Sequence, residues 1–140
     1  MVKDGDKKMA KKVLLVMHRK ILSDALIAQS GSDARFTIVA EQNYATAALT
    51  AETCSPEIIV LEIPESGSWK SAEKCLAVCD VIRGQFPDCK QVILCSENDA
   101  DSCREAIRAK QARRIDDFLF YDSSIHYLLS KLEALIENQE

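Results

Sequence analysis

Glu62 closes the stretch Pro56-Glu57-Ile58-Ile59-Val60-Leu61-Glu62-Ile63-Pro64. Short apolar runs rich in β-branched residues and bounded by proline are strands buried on both faces. In an open parallel sheet, ligands and reacting groups lie just beyond the carboxyl ends of such strands. A carboxylate placed there can act as a nucleophile, as a ligand or as a fixed charge; the plain alternative is a strand-end carboxylate facing solvent. His18 follows a second apolar run, Val13 to Met17. If the two strands are neighbours, His18 comes within reach of Glu62. A His–carboxylate pair would raise the imidazole pKa and respond to pH, or the two could share a transition metal. The plain alternative is an exposed loop histidine.

The six cysteines are Cys54, Cys75, Cys79, Cys89, Cys95 and Cys103. Cys75 and Cys79, four residues apart, share one helix face, but no C-x-x-C and no second Cys or His pair stands at zinc-ligand spacing. With no secretory signal beside them, they are expected to be buried free thiols rather than a disulfide framework. Trp69, the only tryptophan, is expected to begin the helix after the Glu62 loop, packing over that loop or offering a contact surface.

These groups need elements to hold them. Val13–Met17 is the first strand, His18, Arg19 and Lys20 the turn after it, and Ile21 to Ala28 follow helical spacing up to Gly31. Phe36–Ala40 is the second strand and Tyr44–Cys54 an Ala-rich helix. After the third strand, opened by Pro56, Ser68 or Ser71 caps a long helix with an apolar stripe at Ala72, Cys75, Leu76, Cys79, Ile82 and Phe86. Gln91–Cys95 is the fourth strand. Asn98 or Asp99 caps a helix running to about Ala112. Ile115 to Phe120 contains the fifth strand, and Asp122, Ser123 or Ser124 caps the final helix. Strand and helix alternate five times with short connections, so the expected fold is α/β, a parallel sheet covered on both faces by helices.

Composition narrows the function. A 140-residue chain, 47% hydrophobic and 29% charged, fits one domain with a substantial core. Its net charge of −4 argues against direct nucleic-acid binding by the domain as a whole. The apolar runs are too short to span a bilayer, and the Lys- and Asp-rich first twelve residues lack a signal-peptide core, so a cytoplasmic protein is expected. Residues 1–11 are expected to be a flexible basic tail and residues 12–140 the domain. Neither a G-x-G-x-x-G, a P-loop nor a Ser-His-Asp order is present.

This pattern resembles the receiver domain of bacterial response regulators, CheY-like proteins of two-component phosphorelays. The likeness runs from about Lys12 to Asn138. Val13-Leu14-Leu15-Val16 is similar to the first receiver strand, Pro56 to Glu62 to the phosphoacceptor strand, and Val92-Ile93-Leu94-Cys95-Ser96 to the fourth. Asp116-Asp117-Phe118-Leu119-Phe120 resembles the segment before the receiver lysine. The resemblance implies a flavodoxin-like (βα)5 three-layer sandwich whose five-stranded sheet has the order 2-1-3-4-5.

Placed on that pattern, the reactive positions are degenerate. The acidic pair that holds magnesium in receivers falls on Met17 and His18, and a thioether is a poor ligand for a hard cation. Magnesium binding is therefore expected to be weak or lost, with no other cofactor or metal. The phosphoacceptor aspartate becomes Glu62, whose extra methylene moves the carboxylate by about 1 Å. The lysine becomes Tyr121, which removes a phosphoryl-binding cation, and the proline after it becomes Asp122. The receiver switch positions are kept as Ser96 and Phe118.

The resemblance implies a non-enzymatic signal-transduction module, a pseudo-receiver that is not phosphorylated and acts by protein–protein contact. Glu62 would then serve as a fixed charge standing in for phosphoaspartate. In receivers the fourth helix, fifth strand and fifth helix form the output face, which here would draw on Arg104, Arg108, Asp116, Asp117 and Lys131 to bind a protein partner or a second copy. The alternative keeps Glu62 as a working phosphoacceptor. Without the resemblance, the Arg104 to Arg114 cluster is a solvated, salt-bridged helix face.

Overall fold

The computed structural model describes residues 10–30, 35–120 and 125–137. Most of the basic tail, Gly31, Tyr121 and the capping candidates Asp122, Ser123 and Ser124 lie outside the described residues. The strands are β1 (Lys11–Val16), β2 (Phe36–Glu41), β3 (Ile58–Glu62), β4 (Lys90–Cys95) and β5 (Asp117–Phe120). The helices are α1 (Lys20–Ser30), α2 (Ala47–Cys54), α3 (Ala72–Gln85), α4 (Ala100–Gln111) and α5 (Ile125–Glu137). All pairings are parallel and the order is β2-β1-β3-β4-β5, as the resemblance implied.

The sheet parts its side chains by strand alternation. Leu14, Val16, Ile59, Leu61, Ile93 and Cys95 face one cluster with Ala47, Ala51, Cys75, Cys79, Ile82 and Ala106 of α2, α3 and α4. Val13, Leu15, Met17, Ile58, Val60, Val92 and Leu94 face the other, with Leu26 of α1 and Leu128 and Leu132 of α5. All five residues of β3 are buried, as expected for the central strand.

Several boundaries moved for local reasons. β1 opens at Lys11, because its N–H reaches the Arg35 carbonyl at 2.7 Å. Tyr44–Thr46 is a 3-10 turn ahead of α2, capped by the Asn43 side chain. Pro56 precedes β3, and the chain enters it from Ser55, whose φ of 48° ends α2 in the left-handed region. Of the candidate caps, Ser71 and Asp99 do the work: Ser71 Oγ accepts from Lys74 N at 3.1 Å, and Asp99 Oδ1 from Ser102 N at 3.1 Å. Trp69 therefore sits in the loop before α3, not in the helix. Among the described residues, no helix is long and apolar enough to cross a membrane.

Candidate functional site

β1 and β3 are adjacent, with Val16 opposite Leu61, so the turn after β1 meets the last residue of β3. Strand alternation turns Glu62 toward that turn. Its side chain is 1% exposed, which overturns the solvent-facing alternative. Glu62 Oε1 accepts the main-chain N–H groups of His18 at 2.9 Å and Arg19 at 3.2 Å. Its Oε2 accepts from Arg19 Nε at 3.0 Å. Two consecutive main-chain N–H groups and a guanidinium form an anion cradle that the chain fills with its own carboxylate.

His18 is the exposed loop histidine of the plain reading, and its imidazole does not pair with Glu62. His18 contributes its main chain while its imidazole is on the exposed side of the turn. The reason is the turn geometry: consecutive N–H groups point at Glu62, so the side chains between them project elsewhere. Arg19 is the residue that sequence reasoning missed. Its only signal was a cation in the turn directly after the first strand.

The carbonyl of Glu62 is held as well. Tyr44 donates its hydroxyl to it at 2.6 Å, and burial, followed by the Glu62 charge, pushes the Tyr44 hydroxyl pKa up. Tyr44 packs against Trp69 with ring centroids 5.3 Å apart. Lys74 Nζ lies 4.7 Å from the Trp69 centroid and donates to the Ser68 carbonyl at 2.7 Å. Trp69 thus packs beside the Glu62 support and belongs to the loop that follows β3.

Among the described residues, no hydrogen bond or ion pair joins Met17, Ser96 or Phe118 to the Glu62 carboxylate. Met17 is fully buried in the cluster facing α1 and α5. Ser96 is 5% exposed, and its hydroxyl accepts from Asn98 N at 3.2 Å within its own loop. Phe118 is half-buried against the cluster facing α2, α3 and α4, and meets Phe120 edge-on at 6.1 Å. Tyr121 lies outside the described residues. The loops after β3 and β4 are bridged by Lys70 and Asp99 at 4.0 Å.

These residues do not fit the magnesium ion that the fold family implies. Met17 offers a buried thioether, and the Arg19 guanidinium already stands 3.0 Å from the Glu62 carboxylate. A hard divalent ion needs several oxygen ligands and no adjoining cation. Among the described residues, no group of three His, Cys, Asp or Glu side chains could hold a metal.

On the face made by α4, β5 and α5, Asp117 stands between two lysines, Lys110 at 3.0 Å and Lys131 at 3.5 Å. Burial raises its pKa, but the Lys110 hydrogen bond, the Phe118 N–H at 2.9 Å and the charges of both lysines together leave it lowered. Arg104 and Arg108 are exposed on α4 and pair within that helix, with Asp101 and Glu105. Asp116 is turned elsewhere: its carboxylate accepts from Gln91 N at 2.7 Å and pairs with Arg83 of α3.

Three solved structures place the fold. A response regulator from Thermotoga maritima superposes with a TM-score of 0.73 at 20% identity, over 91% of this chain and 98% of that one. A DNA-binding response regulator of the LuxR family from Staphylococcus aureus gives 0.70 at 18% identity, over 89% and 98%. NtrX from Brucella abortus, in complex with ADP, gives 0.74 at 21% identity, over 93% of this chain and 28% of that one. No family model matches the chain. No curated relative matches it either.

Proposed function

The fold is the flavodoxin-like (βα)5 fold of response-regulator receivers, and we propose that the chain is a signal-transduction module of that type which carries no phosphoryl group. It acts by protein–protein contact and catalyses no reaction. The observation that carries this reading is the Glu62 carboxylate, 1% exposed and engaged by His18 N, Arg19 N and Arg19 Nε. A nucleophilic oxygen must be free to approach phosphorus in line; these oxygens are held toward the β1–α1 turn. The same arrangement supplies from within the chain both an anion at the end of β3 and a cation beside it. Glu62 thereby fixes one state of the module, through Arg19 rather than through a phosphoryl group read by Ser96.

The partner surface in this reading is the face of α4, β5 and α5. Arg104 and Arg108 are balanced on α4 by Asp101 and Glu105, and Lys110 and Lys131 flank Asp117, so the face carries charges of both signs, which suits a mixed-charge protein surface or a second copy of the chain.

The test is intact-mass spectrometry after incubation with acetyl phosphate and Mg²⁺, beside a working receiver. The expected result is no adduct. A gain of about 80 Da that vanishes in Glu62→Gln would overturn the reading and restore Glu62 as a phosphoacceptor.

A further inference from the structure

Cys95 ends β4, and Cys103 stands one turn into α4. Their sulfur atoms are 3.9 Å apart. Cys95 is fully buried, whereas Cys103 is half-buried. Cys103 Sγ donates to the Ser96 carbonyl at 3.2 Å. That carbonyl also accepts from Asp99 N at 3.0 Å, so it keeps a partner if Cys103 turns away.

We propose that Cys95 and Cys103 form an oxidative modification site, a dithiol that a hydroperoxide closes to a disulfide across the junction of β4 and α4. The more accessible Cys103 reacts first. Its thiolate attacks one peroxide oxygen, the O–O bond breaks, and hydroxide leaves and takes up the thiol proton as water, giving a sulfenic acid. Cys95 sulfur then attacks Cys103 sulfur. The S–O bond breaks, and the leaving hydroxide takes the Cys95 proton as a second water. Two thiols have lost two electrons and hydrogen peroxide has gained them. The sulfurs must close from 3.9 Å to a bonded separation of about 2.05 Å.

The other cysteines are poorly placed to compete. Burial pushes the thiols of Cys75, Cys79 and Cys89 up to about 12, leaving almost no thiolate at neutral pH. Burial also raises the Cys54 thiol. A bond between Cys95 and Cys103 spans eight residues and ties the first turn of α4 to the sheet. It restrains the segment that carries Ser96 and sets the pose of the helix bearing Arg104 and Arg108. This inference does not depend on whether Glu62 accepts a phosphoryl group.

The test treats the full chain with hydrogen peroxide, denatures it in acid, alkylates free thiols and counts adducts by intact mass. Wild type is expected to show four labelled thiols of its six, with a linked peptide joining Cys95 to Cys103. Dithiothreitol should restore all six. Cys103→Ser, conservative and half-exposed, should keep its remaining five free under the same treatment. Six free thiols in wild type would overturn the proposal. So would a linkage between other cysteines, Cys103 sulfinic acid without a cross-link, or an equal loss of thiols in Cys103→Ser.

Discussion

Arg19→Ala isolates the cation beside Glu62, because alanine keeps the Arg19 N–H that also binds the carboxylate. The substitution removes the Nε hydrogen bond at 3.0 Å and the ion pair with Glu62. At that separation the bare attraction is about 5.5 kcal/mol at an effective dielectric of 20 and about 1.4 kcal/mol in water. Glu62 is 1% exposed but the Arg19 side chain is 44% exposed, so the guanidinium stays hydrated and the pair lies toward the screened end. After the cost of ordering the arginine, the net contribution is about 1–2 kcal/mol. Urea unfolding of Arg19→Ala at pH 7 should show that loss, with a melting temperature lower by about 3–6 °C. Glu62→Gln retains an oxygen for both main-chain donors and removes the charge. In that background Arg19→Ala should cost less than about 0.5 kcal/mol. An equal cost in both backgrounds, or no cost in the wild type, would refute the idea that the cation holds the carboxylate.

Three other perturbations follow from separate features. Tyr44→Phe deletes the 2.6 Å bond to the Glu62 carbonyl and should lower stability by about 1 kcal/mol in urea, while the ring still packs on Trp69 and its emission maximum stays put. Gly84→Ala, inside α3 with no atom within 4 Å of the added methyl, should raise stability by up to about 1 kcal/mol, read as a higher urea midpoint with an unchanged slope. Asp99 and Asp117 both have pKa values lowered from 3.8, the first chiefly by the Ser102 hydroxyl and the second, against burial, by Lys110, the Phe118 N–H and Lys131 acting together. Their unfolded forms bind protons first, so their contribution is full above about pH 4 and fades as pH falls through the folded values. The urea midpoint should drop over that acid range, and drop less in Asp117→Asn.

The sheet was legible because β1, β3 and β4 are continuous apolar runs, which only a sheet covered on both faces accommodates. Ser71 and Asp99 were legible as caps because a hydroxyl or carboxylate three residues before a free N–H has one obvious use. The centre of the site was read less well. Glu62 was correctly placed at a strand end, but whether its carboxylate faces water or the β1–α1 turn depends on the conformation of three turn residues. The His18 side chain is what a sequence displays, while its main chain makes the contact and the next side chain supplies the charge. Main-chain donors have no letter in a sequence. Asp116 and Asp117 illustrate the same limit: across the start of β5 the adjoining carboxylates part, Asp116 to Gln91 and Arg83, Asp117 to Lys110 and Lys131.

The Glu62–Arg19 pair also bears on timing. A phosphoryl group has a lifetime of its own, set by how fast it is added and hydrolysed, so a protein that carries one can keep a brief record of a stimulus. A carboxylate held by an arginine and two main-chain N–H groups has no such clock. It arrives when the chain is made and leaves when the chain is degraded. If Glu62 fixes the state of the module as proposed, the strength of its output would follow the number of copies present, and its duration synthesis and turnover.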